Sequence, residues 1–328
     1  MTHSLSEPTP SPFQRVDVTE WLVTGVEKRG STPSTWLQDP NDDDVRWLHK
    51  DTTVPTSGNE QGEDWSEIFS TEVARELGVP VAPVKLCTRG GRRGSISRNI
   101  RPQDADLHEG FAVLEQCPEV IGYFPHREGG RAVDPNRPDV KRPGHSLENI
   151  QRALVGVQAP PGFNGPTALD GFDVFAGYLT LDALIANRDR HEENWAVLRP
   201  QLTNQVEQLA PSYDHASSLG FNLQDQARER FLADPSALAK WASKGTAYRF
   251  EHVSSPLTLV DLARHALSMS SEAGRHHWTT RVAELTLKTV HDALEGGTVP
   301  EMSVAACRFA RTVLDHNLGR LRDAIAGT

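Results

Sequence analysis

Apolar positions alternate with polar ones through the first third of the chain and recur at helical spacing through most of the rest. The run Trp21-Leu22-Val23-Thr24-Gly25-Val26 reads as a strand, followed by the polar loop Gly30-Ser31-Thr32-Pro33-Ser34 and a second strand at Thr35-Trp36-Leu37. Residues 39–44, built from Asp, Pro and Asn, predict a hairpin turn, with Arg46-Trp47-Leu48-His49-Lys50 as the returning strand. Residues 52–62 are polar and read as a loop. Over residues 63–77, Trp65, Ile68, Phe69, Val73, Ala74 and Leu77 fall on one helical face, and Gly78 ends the helix. Val81-Ala82-Pro83-Val84-Lys85-Leu86 and Ser95-Ile96-Ser97-Arg98-Asn99-Ile100 read as two strands joined by a turn at Gly90-Gly91-Arg92-Arg93-Gly94.

The remainder has a different texture. Residues 125–144 are rich in Pro, Gly and Arg, without apolar periodicity, and predict a long loop. Ser146 is placed to N-cap a helix containing Leu147, Ile150, Ala153 and Leu154. Residues 171–186 are almost continuously apolar, which predicts a buried central helix delivering the polar run that follows it. Beyond Leu219 the pattern is all helix, with turns near Gly245, Gly274 and Gly296-Gly297 and with His276-His277 in a polar turn. Together these patterns predict an α+β chain. Residues 1–14 form a Ser, Thr and Pro-rich flexible tail, 15–115 a β-rich lobe with one main helix, and 116–328 a larger, mostly helical lobe.

Composition narrows the class. A hydrophobic fraction of 37% with 24% charged residues fits a globular protein with a real core, and no apolar run is long enough to span a membrane. The net charge of −10 argues against a nucleic-acid coat but leaves room for a local phosphate site. Cys87, Cys117 and Cys307 form no close pair and no metal-ligand spacing, which suits a reducing cytoplasm. Cys307 belongs to an apolar series with Ala310, Leu314, Leu318, Leu321 and Ile325, and packing is its expected role.

The candidate chemistry sits at the end of the central apolar run. In Asn187-Arg188-Asp189-Arg190-His191-Glu192-Glu193-Asn194-Trp195 an Asp precedes an Asn by five positions, and Asp214 follows after a short apolar stretch. This is the arrangement of phosphoryl-transfer enzymes. The first Asp orients or deprotonates the attacking hydroxyl, and the Asn and second Asp hold magnesium against nucleotide phosphates. Magnesium prefers hard oxygen ligands and keeps several waters, so one carboxylate, one amide oxygen and the phosphates suffice. Lys50, ending its strand, is the candidate nucleotide lysine, paired with Glu67 first and Glu72 second on the helix that follows. The loop holding Ser31 offers backbone N–H groups for phosphates, though a plain turn fits it equally. Asp189, His191, Asp214 and His215 also spell a conceivable zinc or iron set, but no H-E-x-x-H accompanies them, and His191 is expected to pack beneath its loop and orient it. The basic residues Arg127, Arg131, Arg137, Lys141 and Arg142 either meet an acidic or phosphorylated partner or form a solvated loop. Neither a P-loop nor a dinucleotide-binding glycine motif is present.

On these residues the chain resembles the HipA-like kinases, within the protein-kinase-like superfamily that includes the phosphatidylinositol kinases. The match runs in order through Gly62-Glu63-Asp64-Trp65, Gly94-Ser95-Ile96-Ser97-Arg98, His145-Ser146-Leu147-Glu148-Asn149 and Leu181-Asp182-Ala183-Leu184-Ile185. It continues into the block from Asn187 to Trp195 and the block from Leu209 through Asp214 and His215 to Gly220. The resemblance implies a bilobal fold binding ATP and Mg2+, with Asp189 catalytic, Asn194 and Asp214 as metal ligands, Lys50 as the nucleotide lysine, and Ser97, Arg98 and Asn99 near the adenine hinge. It implies a cytoplasmic serine/threonine protein kinase able to modify itself, Ser31 and Ser34 lying where such a serine falls. A protein substrate is expected, with a separate antitoxin or operon partner conceivable and with neither membrane nor nucleic acid bound directly. Two departures stand out: the phosphate loop lacks the family's charged, Gln-containing pattern, and His215 follows Asp214 where protein kinases carry Phe-Gly. A small-molecule kinase of the antibiotic-phosphotransferase type shares the Asp, Asn and Asp logic, and a silent nucleotide-binding module is the third alternative.

Overall fold

The computed structural model describes residues 11–27, 34–56, 58–125, 133–202 and 205–326. A six-stranded sheet of order β1-β5-β6-β4-β3-β2 occupies the N-terminal part. It comprises β1 (Val16–Asp17), β2 (Val23–Glu27), β3 (Ser34–Asp39), β4 (Asp42–Asp51), β5 (Val84–Arg89) and β6 (Arg92–Arg98), with helix α1 (Glu63–Leu77) between β4 and β5. A second sheet, order β7-β8-β9, joins β7 (Ala105–Glu109), β8 (Ala196–Pro200) and β9 (Gln208–Leu209). The helices α2 (Gly110–Gln116), α3 (Leu147–Ala153) and α4 (Gly171–Ile185) precede β8. The C-terminal helices are α5 (Asp225–Ala233), α6 (Pro235–Ser243), α7 (Leu259–Met269), α8 (Glu272–Glu284), α9 (Lys288–Glu295) and α10 (Val304–Ile325). The architecture is α+β, a β-rich N-terminal sheet followed by a helical C-terminal part.

Strand alternation assigns the two faces of the large sheet. In register, Lys50 opposes Ser95 and Leu48 opposes Ser97, while Leu86 opposes Ser95. These side chains share the face on which α1 lies. The other face gathers Leu37, Trp47, Cys87 and Ile96 with Val18 into a separate apolar cluster. The apolar positions of α1 are buried as expected, Ile68, Phe69, Val73 and Leu77 each worth about 1.5–3 kcal/mol, but Ser66, Glu67, Ser70 and Thr71 are buried too, so the helix is enclosed on more than its apolar face. Gly78 closes it in the left-handed region, φ +86°, a conformation that suits glycine. Helix α4 is buried along its entire length, and Asp170 and Asp173 form a capping box at its start.

The structure sharpens several expected boundaries. The turn between β3 and β4 needs only Pro40 and Asn41, held by Asn41 N donating to Asp39 Oδ1 at 3.0 Å. Strand β5 starts at Val84 instead of Val81, because Ala82 N donates to Ser212 O at 2.9 Å and ties that segment to the loop beside the site. Gly274 lies inside α8 instead of in a turn. Its N–H donates to the capping Ser271 Oγ, and a Cβ there would meet Asp173 Oδ1 at 2.5 Å, so the glycine permits a close helix approach. His276 and His277 are accordingly helical, the latter edge-on to Phe163. Ser146 caps α3 as expected, accepting from Asn149 N. Cys307 is buried in α10. No helix among the described residues is long and apolar enough to cross a membrane.

Candidate active site

Helix α4 ends at Ala186, whose left-handed backbone, φ +58°, turns the chain out of the core and into the loop bearing Asp189. Inside that helix Asp182 is a carboxylate surrounded by apolar residues, and it is fully satisfied. Arg190 Nε donates to Oδ2 and Nη2 to Oδ1, both at 2.8 Å, and Asn187 Nδ2 donates to Oδ1 at 2.7 Å. Both side chains of the ion pair are 2% exposed. Burial opposes the Arg190 charge, but Asp182 outweighs it and holds the guanidinium above its ordinary pKa. The same guanidinium donates from Nη1 to Asn194 O at 2.6 Å and from Nη2 to Ser212 Oγ at 3.0 Å. One buried arginine thus fixes the loop of Asp189 and Asn194 and the loop leading to Asp214.

Asn194 Nδ2 donates to Asp189 O at 2.9 Å, which commits the amide nitrogen to the loop. Asp189 N donates to Asn187 Oδ1 at 3.0 Å. The Asp189 carboxylate is engaged on one oxygen: Arg249 Nε at 2.7 Å, Arg249 Nη2 at 2.5 Å and Tyr248 Oη at 3.4 Å all reach Oδ1. Among the described residues no donor reaches Oδ2. His191 N bonds to Asp189 O at 2.7 Å and Asn194 N to His191 O at 2.9 Å, so His191 is built into the loop's own turn. Burial depresses its imidazole, while Asp189 and Asp214 pull the other way.

Asp214 adopts φ +60°, a left-handed conformation that Asp tolerates better than most residues. Its neighbours are pinned on both sides. Ser212 N donates to Pro80 O at 2.9 Å, and His215 N donates to Glu67 Oε2 at 2.7 Å. Ser212 Oγ accepts from Arg190 and pairs with His215 Nε2 at 2.8 Å. His215 Nδ1 lies 3.4 Å from Glu67 Oε1. Glu67 therefore bonds the backbone of His215 and lies beside its ring. Lys50 Nζ lies 3.0 Å from Asp214 Oδ2 instead of contacting Glu67 directly. Burial disfavours the lysine charge, but Asp214 and then Glu67 raise its pKa above the usual lysine value. Burial likewise pushes the Asp214 carboxyl up, and Lys50 more than reverses this, leaving it below the usual range.

Lys50, Glu67, Asp189, Asn194 and Asp214 converge, then, through these bonds. Glu72 does not join them, pairing with Arg75. Ser97 shares the sheet face of Lys50, whereas Arg98 opposes Trp47 on the other face and is exposed. Asn99 N donates to Arg46 O at 2.8 Å, and its side chain accepts from Arg101 N at 3.0 Å. Ser34 is buried at the start of β3. Ser31, with Arg127 and Arg131, lies outside the described residues. No group of three or more His, Cys, Asp or Glu among the described residues is arranged to hold a metal, and His215 is already committed to Ser212 and Glu67. The oxygen donors of Asn194 and Asp214, the latter kept ionised, fit a hard cation such as magnesium.

The sequence pattern assigned no role to Asp182 or Arg190 and gave no sign of Tyr248 or Arg249. A carboxylate inside a fifteen-residue apolar helix was a usable sign, because buried charges require partners. Arg249 had no local signal, being brought to Asp189 across 60 positions by tertiary folding.

The sequence matches no family model and no curated protein. Solved structures do match. The Helicobacter pylori proinflammatory kinase CtkA superposes with a TM-score of 0.70 over 96% of this chain and 98% of its own, at 15% identity. HipA of Shewanella oneidensis MR-1, solved with HipB and operator DNA, matches more loosely, with a TM-score of 0.42 and 11% identity over 90% of this chain and 67% of its own. The chain has a protein-kinase-like fold similar to that of CtkA.

Proposed function

We propose that the chain is an ATP- and Mg2+-dependent phosphotransferase acting on serine or threonine of a polypeptide, a HipA-like kinase able to phosphorylate itself. The observation that carries this reading is the joint placement of Asp189, Asn194, Asp214 and Lys50. Two loops locked together by Arg190 present three hard-oxygen groups, and a strand lysine reaches one of them at 3.0 Å. Asp189 Oδ2 is the free oxygen that accepts the hydroxyl proton of the acceptor, while Arg249 holds Oδ1 and keeps the carboxylate oriented. Lys50 exchanges Asp214 for nucleotide phosphate, Glu67 remaining nearby to sustain its charge. Magnesium on Asn194 Oδ1 and Asp214 supplies neutralisation of phosphate charge when bound.

The test is intact-mass measurement after incubation with ATP and Mg2+, for wild type and Asp189→Asn. Wild type gains one or more phosphates, peptide mapping shows whether Ser31 or Ser34 carries one, and the variant gains none while still binding ATP. Equal phosphate gain in both proteins, or loss of ATP binding in the variant, would refute the role given to Asp189.

A further inference from the structure

Three arginines lie on the segments that meet at Asp189: Arg188 precedes it in the chain, Arg249 bonds to it, and Arg142 sits on the segment paired with that of Arg249. Arg249 and Arg188 place their guanidinium carbons 5.0 and 5.1 Å from the centre of the Tyr248 ring. The Tyr248 hydroxyl in turn points to Asp189 Oδ1. The third, Arg142, sits in left-handed backbone at φ +53°, strain that a non-glycine residue adopts only where its surroundings enforce it.

The enforcement is visible. Lys141 and His252 exchange backbone hydrogen bonds at 2.8 and 3.1 Å, Glu251 N donates to His145 O at 2.8 Å, and His145 Nδ1 meets Arg249 O at 2.7 Å. Glu251 also accepts from Arg137 Nη1 at 3.0 Å and from Gly144 N. His145, stacked on Phe250 with ring centres 4.7 Å apart, lies between the two segments. The segments carrying Arg142 and Arg249 are thus riveted side by side, and a bulky residue is held in an unfavourable conformation at their junction.

Glu251 is taken up by Arg137 and Gly144 N, which leaves Asp189 and Glu192 to face the three arginines. Arg249 has Asp189, Arg142 has the buried Glu192 and, more distantly, Asp189, and exposed Arg188 contacts only the ring. Burial depresses the Arg142 guanidinium; Glu192 opposes this and Arg249 adds to it. A preorganised set of cations with this deficit is an anion site waiting for its counter-charge. Arg249 holds Asp189 through Oδ1, so an anion drawn to this group lies next to the carboxylate and can be part of the acceptor.

Resting on the kinase reading above, we propose that Arg142, Arg188 and Arg249 form an acceptor subsite that selects a serine or threonine flanked by an acidic or phosphorylated residue. Arginine suits this task because its planar fork pairs bidentately with carboxylate and phosphate. Arg249 bridges the subsite to Asp189, so occupancy by the flanking anion and alignment of the hydroxyl are linked.

The experiment is transfer from radiolabelled ATP to serine-centred peptides in which one position within three residues of the serine is fixed as Glu, phosphoserine, Ala or Lys. At one or more positions, Glu or phosphoserine raises kcat/KM at least tenfold over Ala, and Lys lowers it. Arg188→Gln and Arg142→Gln each reduce the Glu-to-Ala ratio at least threefold, chiefly through KM. Arg188→Glu, at an exposed position that folding tolerates, moves the preference toward Lys. Incorporation that does not distinguish Glu, Ala and Lys (nil included), in a protein that still phosphorylates itself or consumes ATP, overturns the subsite and leaves the kinase reading intact. A protein that neither binds ATP nor moves phosphate overturns both.

Discussion

Removing Asp182 is the sharpest test of what holds the site in shape. At 2.8 Å and an effective dielectric of about 20, the Asp182–Arg190 attraction is about 6 kcal/mol before desolvation is subtracted. Desolvation offsets much of that in the intact pair, but it cannot be recovered when one partner goes. Asp182→Ala leaves a guanidinium that is 2% exposed without its carboxylate, at an expected cost of about 3–5 kcal/mol. Arg190→Met leaves the converse orphan, and its cost falls in the same range. For 328 residues unfolding together, with about 2.1 cal/mol/K of entropy per residue, each single change lowers Tm by about 4–7 °C. The double variant removes both charges, so its cost falls below the sum of the singles by about 2–3 kcal/mol. It does not return to wild type, because Asn187 Nδ2, Asn194 O and Ser212 Oγ each lose a partner. Urea denaturation with all four proteins gives the coupling energy directly. Singles costing under about 1 kcal/mol, or costs that add within about 0.5 kcal/mol, would refute the claim that this pair anchors both loops.

Other expectations follow from local geometry. A Cβ on Gly110 would lie 2.2 Å from the Trp195 ring, so Gly110→Ala overpacks the residue next to Asn194 and costs about 1–3 kcal/mol in the same urea assay; a neutral result would mean that α2 yields freely. Burial pushes the Cys87 thiol up to about 12, and Cys307 is buried and shifted upward for the same reason. At pH 8 both remain protonated and shielded, so a thiol reagent titrates one group in the native protein, half-buried Cys117, and three after denaturation; rapid native labelling of Cys87 would contradict its packing.

What the sequence disclosed and what it hid have physical causes. Helix α1 was legible because its amphipathic period and its terminal glycine agree, and α4 because continuous apolarity leaves a helix nowhere but the core. The grouping of Asp189, Asn194 and Asp214 was expected because the chemistry we propose restricts residue type and spacing, and the fold does bring their two loops together. The second sheet was not. The residues of β7, Ala105-Asp106-Leu107-His108-Glu109, are mostly polar, and the strand exists because β8 supplies its backbone partners. The surroundings of Asp189 were equally hidden, since Arg249 bonds to it across 60 positions and the segment of Arg142 reaches that of Arg249 only through long-range backbone bonds.

The distribution of burial separates the parts of the site that stay from those that exchange partners. A continuous polar chain runs from Asp182 in α4 through Arg190, Ser212 and His215 to Glu67 in α1, and nearly all of it is shut off from water. Its hydrogen bonds hold Ser212 and His215 on either side of Asp214 and so fix the left-handed turn there, while His215 Nδ1 and Glu67 Oε1 meet only as a charge contact at 3.4 Å. The ion pairs that face the cleft are of another kind. Lys50 and Asp214 are 37% and 33% exposed, and Arg249 and Asp189 are 25% and 27% exposed. Pairs partly open to solvent are held less firmly than the buried Asp182–Arg190 pair, so in the reading we propose a phosphate or an acceptor hydroxyl displaces them at lower cost. Lys50 can leave Asp214 without disturbing the backbone that positions it, because that backbone is held from behind by Glu67 and Arg190. The buried network thus supplies preorganisation, and the exposed pairs supply the groups that rearrange as ligands arrive.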